Sequence, residues 1–304
     1  MKIIFSRKGF DAKHGGVASP IFPNNRIRSL PIPDPNGRLR YKKIKFDLKH
    51  MGYDSKNLGS LVEDLSLKPR KSNSGIKGTA SCHLDPDLIR TDVTRKAGWL
   101  PMFGQGNAAA SHLLNYGVGV GDLFLFFGWF HRVQEADGRF SFDPERQDIH
   151  LIFGWLQIGE VWYKFNAKSL PKWARYHPHV SGVADEHHNL RKPTDAIFIA
   201  KRWLDLPGLR ARRPGGGVFR KYHPDLCLTK LGETRGHWEL PLWMYPSPER
   251  EPLTYNVDGR KWNKNRGHSF LHSADIGQEF ILDCARCPDA KVNRWLARLF
   301  AHSV

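Results

Sequence analysis

Two apolar runs constrain this chain more than any other feature. Residues 122–130 read DLFLFFGWF and residues 150–163 read HLIFGWLQIGEVWY. Runs of this length, rich in aromatic and branched residues, predict strands buried in a sheet. Asp137-Gly138 marks a turn between them, so the pair is expected to be antiparallel. Each run carries a Gly-Trp pair, Gly128-Trp129 and Gly154-Trp155, where a sheet can bend toward a barrel.

Around this pair the chain predicts smaller elements. KIIF at 2–5 and AIFIA at 196–200 read as strands, and residues 215–219 and 226–229 begin a Pro- and Trp-rich meander. Pro20, Pro23, Pro31, Pro33 and Pro35 keep the first 35 residues out of any long helix. Helices are expected over 56–65, with Leu58, Leu61, Val62 and Leu65 on one face, and over 107–115, with Asn107 as N-cap. A third, amphipathic, is expected over 288–302, with Val292, Trp295, Leu296 and Leu299 along one side. Residues 38–49 form a basic stretch and 68–75 a basic loop. No linker interrupts the pattern. The expected fold is α+β, a single compact unit over residues 1–304, with a central, mostly antiparallel, barrel-like sheet flanked by short helices.

Charge narrows the partners. The 304 residues hold 47 Lys and Arg against 30 Asp and Glu, a formal charge of +17. A field of that sign attracts polyanions, so a nucleic acid or nucleotide is the expected partner. Four cysteines at this length point to a reducing compartment. Cys284 and Cys287 make a lone C-x-x-C with no matching pair, and read as ordinary thiols at the start of the last helix. No run approaches the roughly 20 apolar residues of a membrane span, and the N-terminal apolar stretch is too short for a signal peptide. The expectation is a soluble cytoplasmic protein with no membrane partner.

Four polar clusters carry candidate chemistry. The first follows the opening strand: Ser6, Arg7, Lys8 and Asp11, then Gly15 and Gly16, where backbone can approach a ligand closely. The second is CHLDPD at 82–87. Alternation sets His83, Asp85 and Asp87 on one side of an extended segment, which suits an acid/base pair or a divalent metal held by His83 and Asp85. An Asp-Pro-Asp turn capping a helix is the plainer account. H-x-D also begins the two-histidine, one-carboxylate triad of iron oxygenases, which needs a distant second histidine. With 15 histidines in the chain, a partner is available by chance.

The third cluster is FGQGN at 103–107 with Ser111 and His112. Gln105 can pair with a base edge, while His112 is more often a core residue than a catalyst. The fourth, His177 and His179 with His187, His188 and Asn189, reads as surface loop histidines. Among the tryptophans, most are expected in the core; Trp129 and Trp155 are candidates for stacking on a base.

Taken together, these strings resemble the nucleotide modification associated domain 3 family. The resemblance is carried by FSRKGFD with Gly15-Gly16 and Ser19-Pro20-Ile21, by CHLDPD, FGQ at 103–105, GDLFLFFGWF at 121–130 and FGWLQ at 153–157. GGGVF at 215–219, WELPLW at 238–243 and GQEF at 277–280 extend it over nearly the whole chain. It implies a link to modified nucleobases, largely in bacteria and their phages, and no particular reaction. One departure is that Phe130 is followed by His131-Arg132 where the pattern has Arg directly after Phe, so no role passes to that arginine. The two central strands also resemble, over a short stretch, PUA-like modified-base readers.

Three functions follow as expectations. The first is an enzyme on nucleobases or nucleotides: Lys8 or Arg7 holds negative charge, Asp11, His83, Asp85 and Asp87 supply acid/base groups, and Gln105 reads the base. The second is a non-catalytic reader with an extruded base near Trp129 and Trp155. The third is a small-metabolite enzyme with an incidental basic surface.

Overall fold

A computed structural model describes residues 1–46, 57–67, 75–166, 168–181, 195–209, 211–275 and 277–303. The two apolar runs form its centre as β7 (Leu123–Ala136) and β9 (Ile149–Tyr163), paired antiparallel as expected. The register shifts between Phe126 and Phe127, opposite Gly154, so one of the two predicted bends is a bulge. Gly128 serves another end. A Cβ there would lie 2.5 Å from the carbonyl oxygen of Lys8, so glycine admits the chain that leaves the first strand.

That first strand is β1 (Lys2–Arg7). It runs parallel to β7 on one side and antiparallel to β15 (Glu279–Asp283) on the other. Farther along the same edge of β7, β2 (Ser19–Ile21) also pairs in parallel, and β8 (Arg139–Phe142) returns antiparallel from the Asp137-Gly138 turn. On β9 lie β10 (Ala196–Ala200) and β11 (Gly216–Val218), and β10 carries β6 (Met102–Gln105) as the last strand. The main sheet therefore runs β15-β1-β7-β9-β10-β6.

The sheet is mixed and open rather than a closed barrel. No ladder joins its two outer strands, β6 and β15. It curls far enough that their side chains meet instead: Gln105 Nε2 of β6 donates to Glu279 Oε1 of β15 at 2.6 Å and to Gln278 Oε1 at 3.1 Å.

Two small sheets complete the β structure. One combines β3 (Ile32–Pro33), β4 (Leu39–Arg40) and β5 (Ser81–His83); the other combines β12 (His237–Pro241), β13 (Trp262–Lys264) and β14 (His268–His272). The helices are α1 (Leu58–Ser66), α2 (Asn107–Asn115), the one-turn α3 (Pro178–Ser181) and α4 (Asp289–Ala301). Gly106, with extended backbone, is the N-cap of α2 rather than Asn107, and a Cβ there would lie 2.5 Å from Asp195 Oδ1.

Three apolar clusters fill the interior. The largest lies on the main sheet around Phe124, Phe127 and Trp238. A second packs α1 under β5, with Leu61, Val62, Cys82 and Leu84. The third joins Trp99, Met102 and Val180. Phe103 belongs to the first cluster, Cys82 and Leu84 to the second, and Met102 and Val180 to the third, and the segments that carry them converge. A polar site lies at that junction.

Candidate functional site

Strand β5 sends Cys82 inward, so its neighbour His83 faces the other way. The chain then turns, with Asp85 N donating to His83 O at 2.9 Å, passes a cis Asp85-Pro86 bond, and bridges to β6 through Asp87 and Met102. Asp85 is thereby pinned against β6, where its Oδ1 accepts the Gly104 N–H at 2.9 Å. From the opposite side, Pro178 opens the turn of α3 with its fixed φ. His177 and Val180 bury, and His179 lies over β6 directly above Gly104.

Three donor atoms meet here. His83 Nε2 is 3.2 Å from His179 Nε2, and Asp85 Oδ2 is 3.5 Å from His179 Nε2 and 4.0 Å from His83 Nε2. Two neutral ring nitrogens pointing lone pairs at each other repel unless a proton or a cation lies between them. Donors about 2.1 Å from one metal ion, at tetrahedral or octahedral angles, lie about 3.0–3.4 Å apart. The shortest observed separation falls within that range, the second lies just above it and the third is longer. Among the described residues, His83, Asp85 and His179 are thus a set able to hold a metal.

The far nitrogen of His83 fits the same account. His83 Nδ1 is 3.3 Å from Asp34 Oδ2, and His179 Nδ1 is 3.9 Å from Asp195 Oδ2. Asp34 behind His83 orients that ring and raises its donor strength, as a carboxylate does behind a metal-ligating histidine, whereas the buried Nδ1 of His179 makes no hydrogen bond. His177 is fully buried. Its Nε2 lies 3.2 Å from Asp85 Oδ1 without hydrogen-bond alignment, and neither of its ring nitrogens has a hydrogen-bond partner.

Burial alone would raise the Asp85 pKa, yet His177 and His179 hold it well below the ordinary carboxylate range, so it stays ionised. Burial opposes a charged His179, but Asp195 and Asp85 outweigh it and lift its pKa to about 9. His83 goes the other way, since burial lowers its pKa and Asp85 and Asp34 only partly restore it.

Gly104 is part of this construction. A Cβ there would come 2.5 Å from His179 Cδ2. Gly104→Ala is expected to displace the ring. With overpacking at about 1–3 kcal/mol, metal affinity should fall roughly 10- to 100-fold while the far-ultraviolet spectrum stays unchanged. A calorimetric titration showing native affinity would disprove this packing argument.

The other sequence candidates lie apart from this centre. Ser6, Lys8 and Gln105 converge on Glu279: Lys8 Nζ is 2.9 Å from Glu279 Oε1, Gln105 donates to it, and Ser6 Oγ reaches it at 3.3 Å. The Lys8 ammonium also lies 4.7 Å from the Phe103 ring centre. This saturated cluster ties the sheet's outer strands together. Gly104 and Gln105 point to opposite faces of β6, so the cluster and the histidine centre are separated by one strand. Arg7 donates to the carbonyls of Ala274 and Asp275, an anchoring role. Asp11 is half-exposed and accepts from the Lys13 and His14 amides. Gly15 and Gly16 have positive φ, and Gly15 lies against the Phe10 ring.

Asp87 is completely buried and held by Arg95, by Tyr176 Oη and by Trp99 Nε1 at 3.3 Å. His112 lies between Tyr116 and Tyr255, with Nε2 3.1 Å from Thr254 Oγ1. Trp155 packs on Phe219 and Phe300, whereas Trp129 lies under Arg235, so the two tryptophans share no pocket wall. His177 and His179 are a correction. They are not surface loop residues: His177 is fully buried and His179, on α3 docked against β6, is half-buried. His187, His188 and Asn189 lie outside the described residues. Asp34 and Asp195, missed in the sequence, carry no motif and reach the histidines only through the fold.

The chain is therefore an α+β protein with a half-buried imidazole–carboxylate centre at the edge of a curled sheet. No helix among the described residues is long and apolar enough to cross a membrane. The sequence model for nucleotide modification associated domain 3 matches residues 2–283, and the chain belongs to that family. No curated protein and no solved structure matches it.

Proposed function

We propose that the protein is a metal-dependent enzyme that modifies a nucleobase or nucleotide, with His83, Asp85 and His179 holding the metal. The family supports the nucleotide context. The observation that carries the metal is the convergence of two Nε2 atoms and one carboxylate oxygen, with the His83 imidazole backed by Asp34.

Two imidazoles and one carboxylate suit a divalent first-row transition metal and leave positions for water or substrate. When bound, such a metal supplies Lewis-acid or redox chemistry that side chains alone cannot. The protein's own contribution is orientation and charge. Asp34 orients the His83 ring, the Gly104 amide holds Asp85 Oδ1, and ionised Asp85 offers Oδ2. His177, beside Asp85 and without a hydrogen-bond partner of its own, is placed to move a proton at the edge of the centre.

The test is metal analysis of the protein as purified and after loading with iron(II), manganese(II), cobalt(II) or zinc(II). Loaded protein is then incubated with nucleosides, nucleotides and DNA, and product masses are read. Roughly one metal per chain and a metal-dependent mass change are expected; failure of all four ions to bind refutes the reading. Asp34→Asn should weaken metal binding about 10- to 100-fold without removing a ligand, which competition against a chelator would measure.

A further inference from the structure

Two clefts share a wall, and the smaller reaches the candidate centre at Asp85. The smaller, about 290 Å³, is lined by Asp85 and by the cations Arg26, Lys45 and Arg220. The larger, about 970 Å³, runs between α4 and the β13–β14 turn. Its walls carry Arg132, Arg146, Arg266, Lys291, Arg294 and Arg298, with Trp295 half-buried among them. The partition is thin. Ile21 lines the large cleft and bridges to Ile27 of the small one; Arg26 bridges to Lys221, and Tyr222 of the large cleft donates to Asn25 O at 2.7 Å.

The carboxylates of the large cleft are mostly engaged. His302 and Arg298 hold Asp225, and His268 lies 3.3 Å from Glu239, which leaves Glu145. Arg266, Lys291 and Arg294 are exposed and have no protein partner among the described residues. Lys291, Arg294 and Arg298 recur at helical spacing, so α4 presents one cationic stripe to the cleft.

We infer that this line of cations, from α4 across the Arg26–Lys221 partition to Asp85, is a track for the phosphodiester backbone of a polynucleotide. The nucleotide modified at the centre is then one within a nucleic acid strand. A free nucleotide concentrates its charge on one phosphate group and needs a single anion pocket. Cations spread along two adjoining clefts match charge repeated along a chain, and a half-buried indole beside them offers a face to an unpaired base. The inference rests on the proposed centre for its end point and on the two clefts for its course.

The test compares wild-type protein with the variant Lys291→Glu/Arg294→Glu/Arg266→Glu by fluorescence anisotropy, using labelled single-stranded DNA, duplex DNA, RNA and a mononucleotide over a salt series. Reversal of Lys13, Lys42 and Arg139, which line neither cleft, is the control. Wild-type protein should prefer the polynucleotides. The cleft variant should lose roughly tenfold or more in affinity, and its log–log salt slope should fall by about two to three, near 0.7–0.9 per phosphate contact. Metal content should not change. Equal binding of mononucleotide and oligonucleotide by the wild type, or an unaltered slope in the cleft variant, would overturn the track. Slope loss in a protein that binds no metal would sustain the track and overturn the metal centre instead.

Discussion

Asp85→Asn is expected to leave a folded protein with no bound metal and no turnover. The asparagine keeps the shape of the side chain, and its carbonyl can still accept the Gly104 N–H. What it loses is the negative charge facing His83 and His179 at 4.0 and 3.5 Å. A neutral amide oxygen is a far weaker donor to a divalent transition metal than a carboxylate. Changes behind a ligand cost about 10- to 100-fold in affinity, so loss of the ligand itself should exceed about 100-fold. His179→Ala should act alike. The discriminating readout is the visible spectrum of the cobalt(II)-loaded protein, which a purely structural role for Asp85 would leave intact. Full metal occupancy and turnover in Asp85→Asn would eliminate the proposed centre.

The second large effect is on stability. Asp87→Ala should destabilise the fold by about 3–5 kcal/mol, the range for removing one partner of a buried ion pair. Arg95 would keep its charge at a side chain only 2% exposed, with Asp87 gone, and Tyr176 and Trp99 would each lose a polar contact. For a chain of this size the melting temperature should drop on the order of 10 °C. A companion experiment separates pairing from packing: Arg95→Met added to Asp87→Ala should recover some of the loss, since no uncompensated charge remains. Asp87 lies outside the donor set, so the folded fraction of Asp87→Ala should still bind metal. If stability were unchanged and only turnover fell, Asp87 would belong to the chemistry after all.

Much of the architecture was legible in the sequence because it rests on local pattern. The apolar runs at 122–130 and 150–163 became β7 and β9, AIFIA became β10 at the same residues, and the amphipathic C-terminal segment became α4. The sheet's order was not legible, since the parallel contacts of β7 with β1 and β2 arise between residues more than 100 positions apart. The site was half visible. His83 and Asp85 stand out by spacing, but the histidine that joins them comes from 94 positions beyond Asp85, on a helix of one turn. No periodicity marks such a short element. Asp34 and Asp195 are single acidic residues in turns. The cluster after β1 looked like a ligand mouth for a sound reason, as strand ends often are, yet its lysine and serine are engaged by Glu279 from the far end of the chain.

That engagement has a mechanical consequence. A barrel closed by backbone ladders can open only by breaking a row of hydrogen bonds together. Here the circuit is fastened by a clasp of side chains, with Gln105 and Lys8 gripping Glu279. The clasp can come undone by single rotamer changes while every ladder stays whole. The residue next to Gln105 is Gly104, which braces His179 and Asp85. Loosening the clasp therefore releases one edge of the strand on which the imidazole–carboxylate centre leans, while its ladder to β10 holds the other.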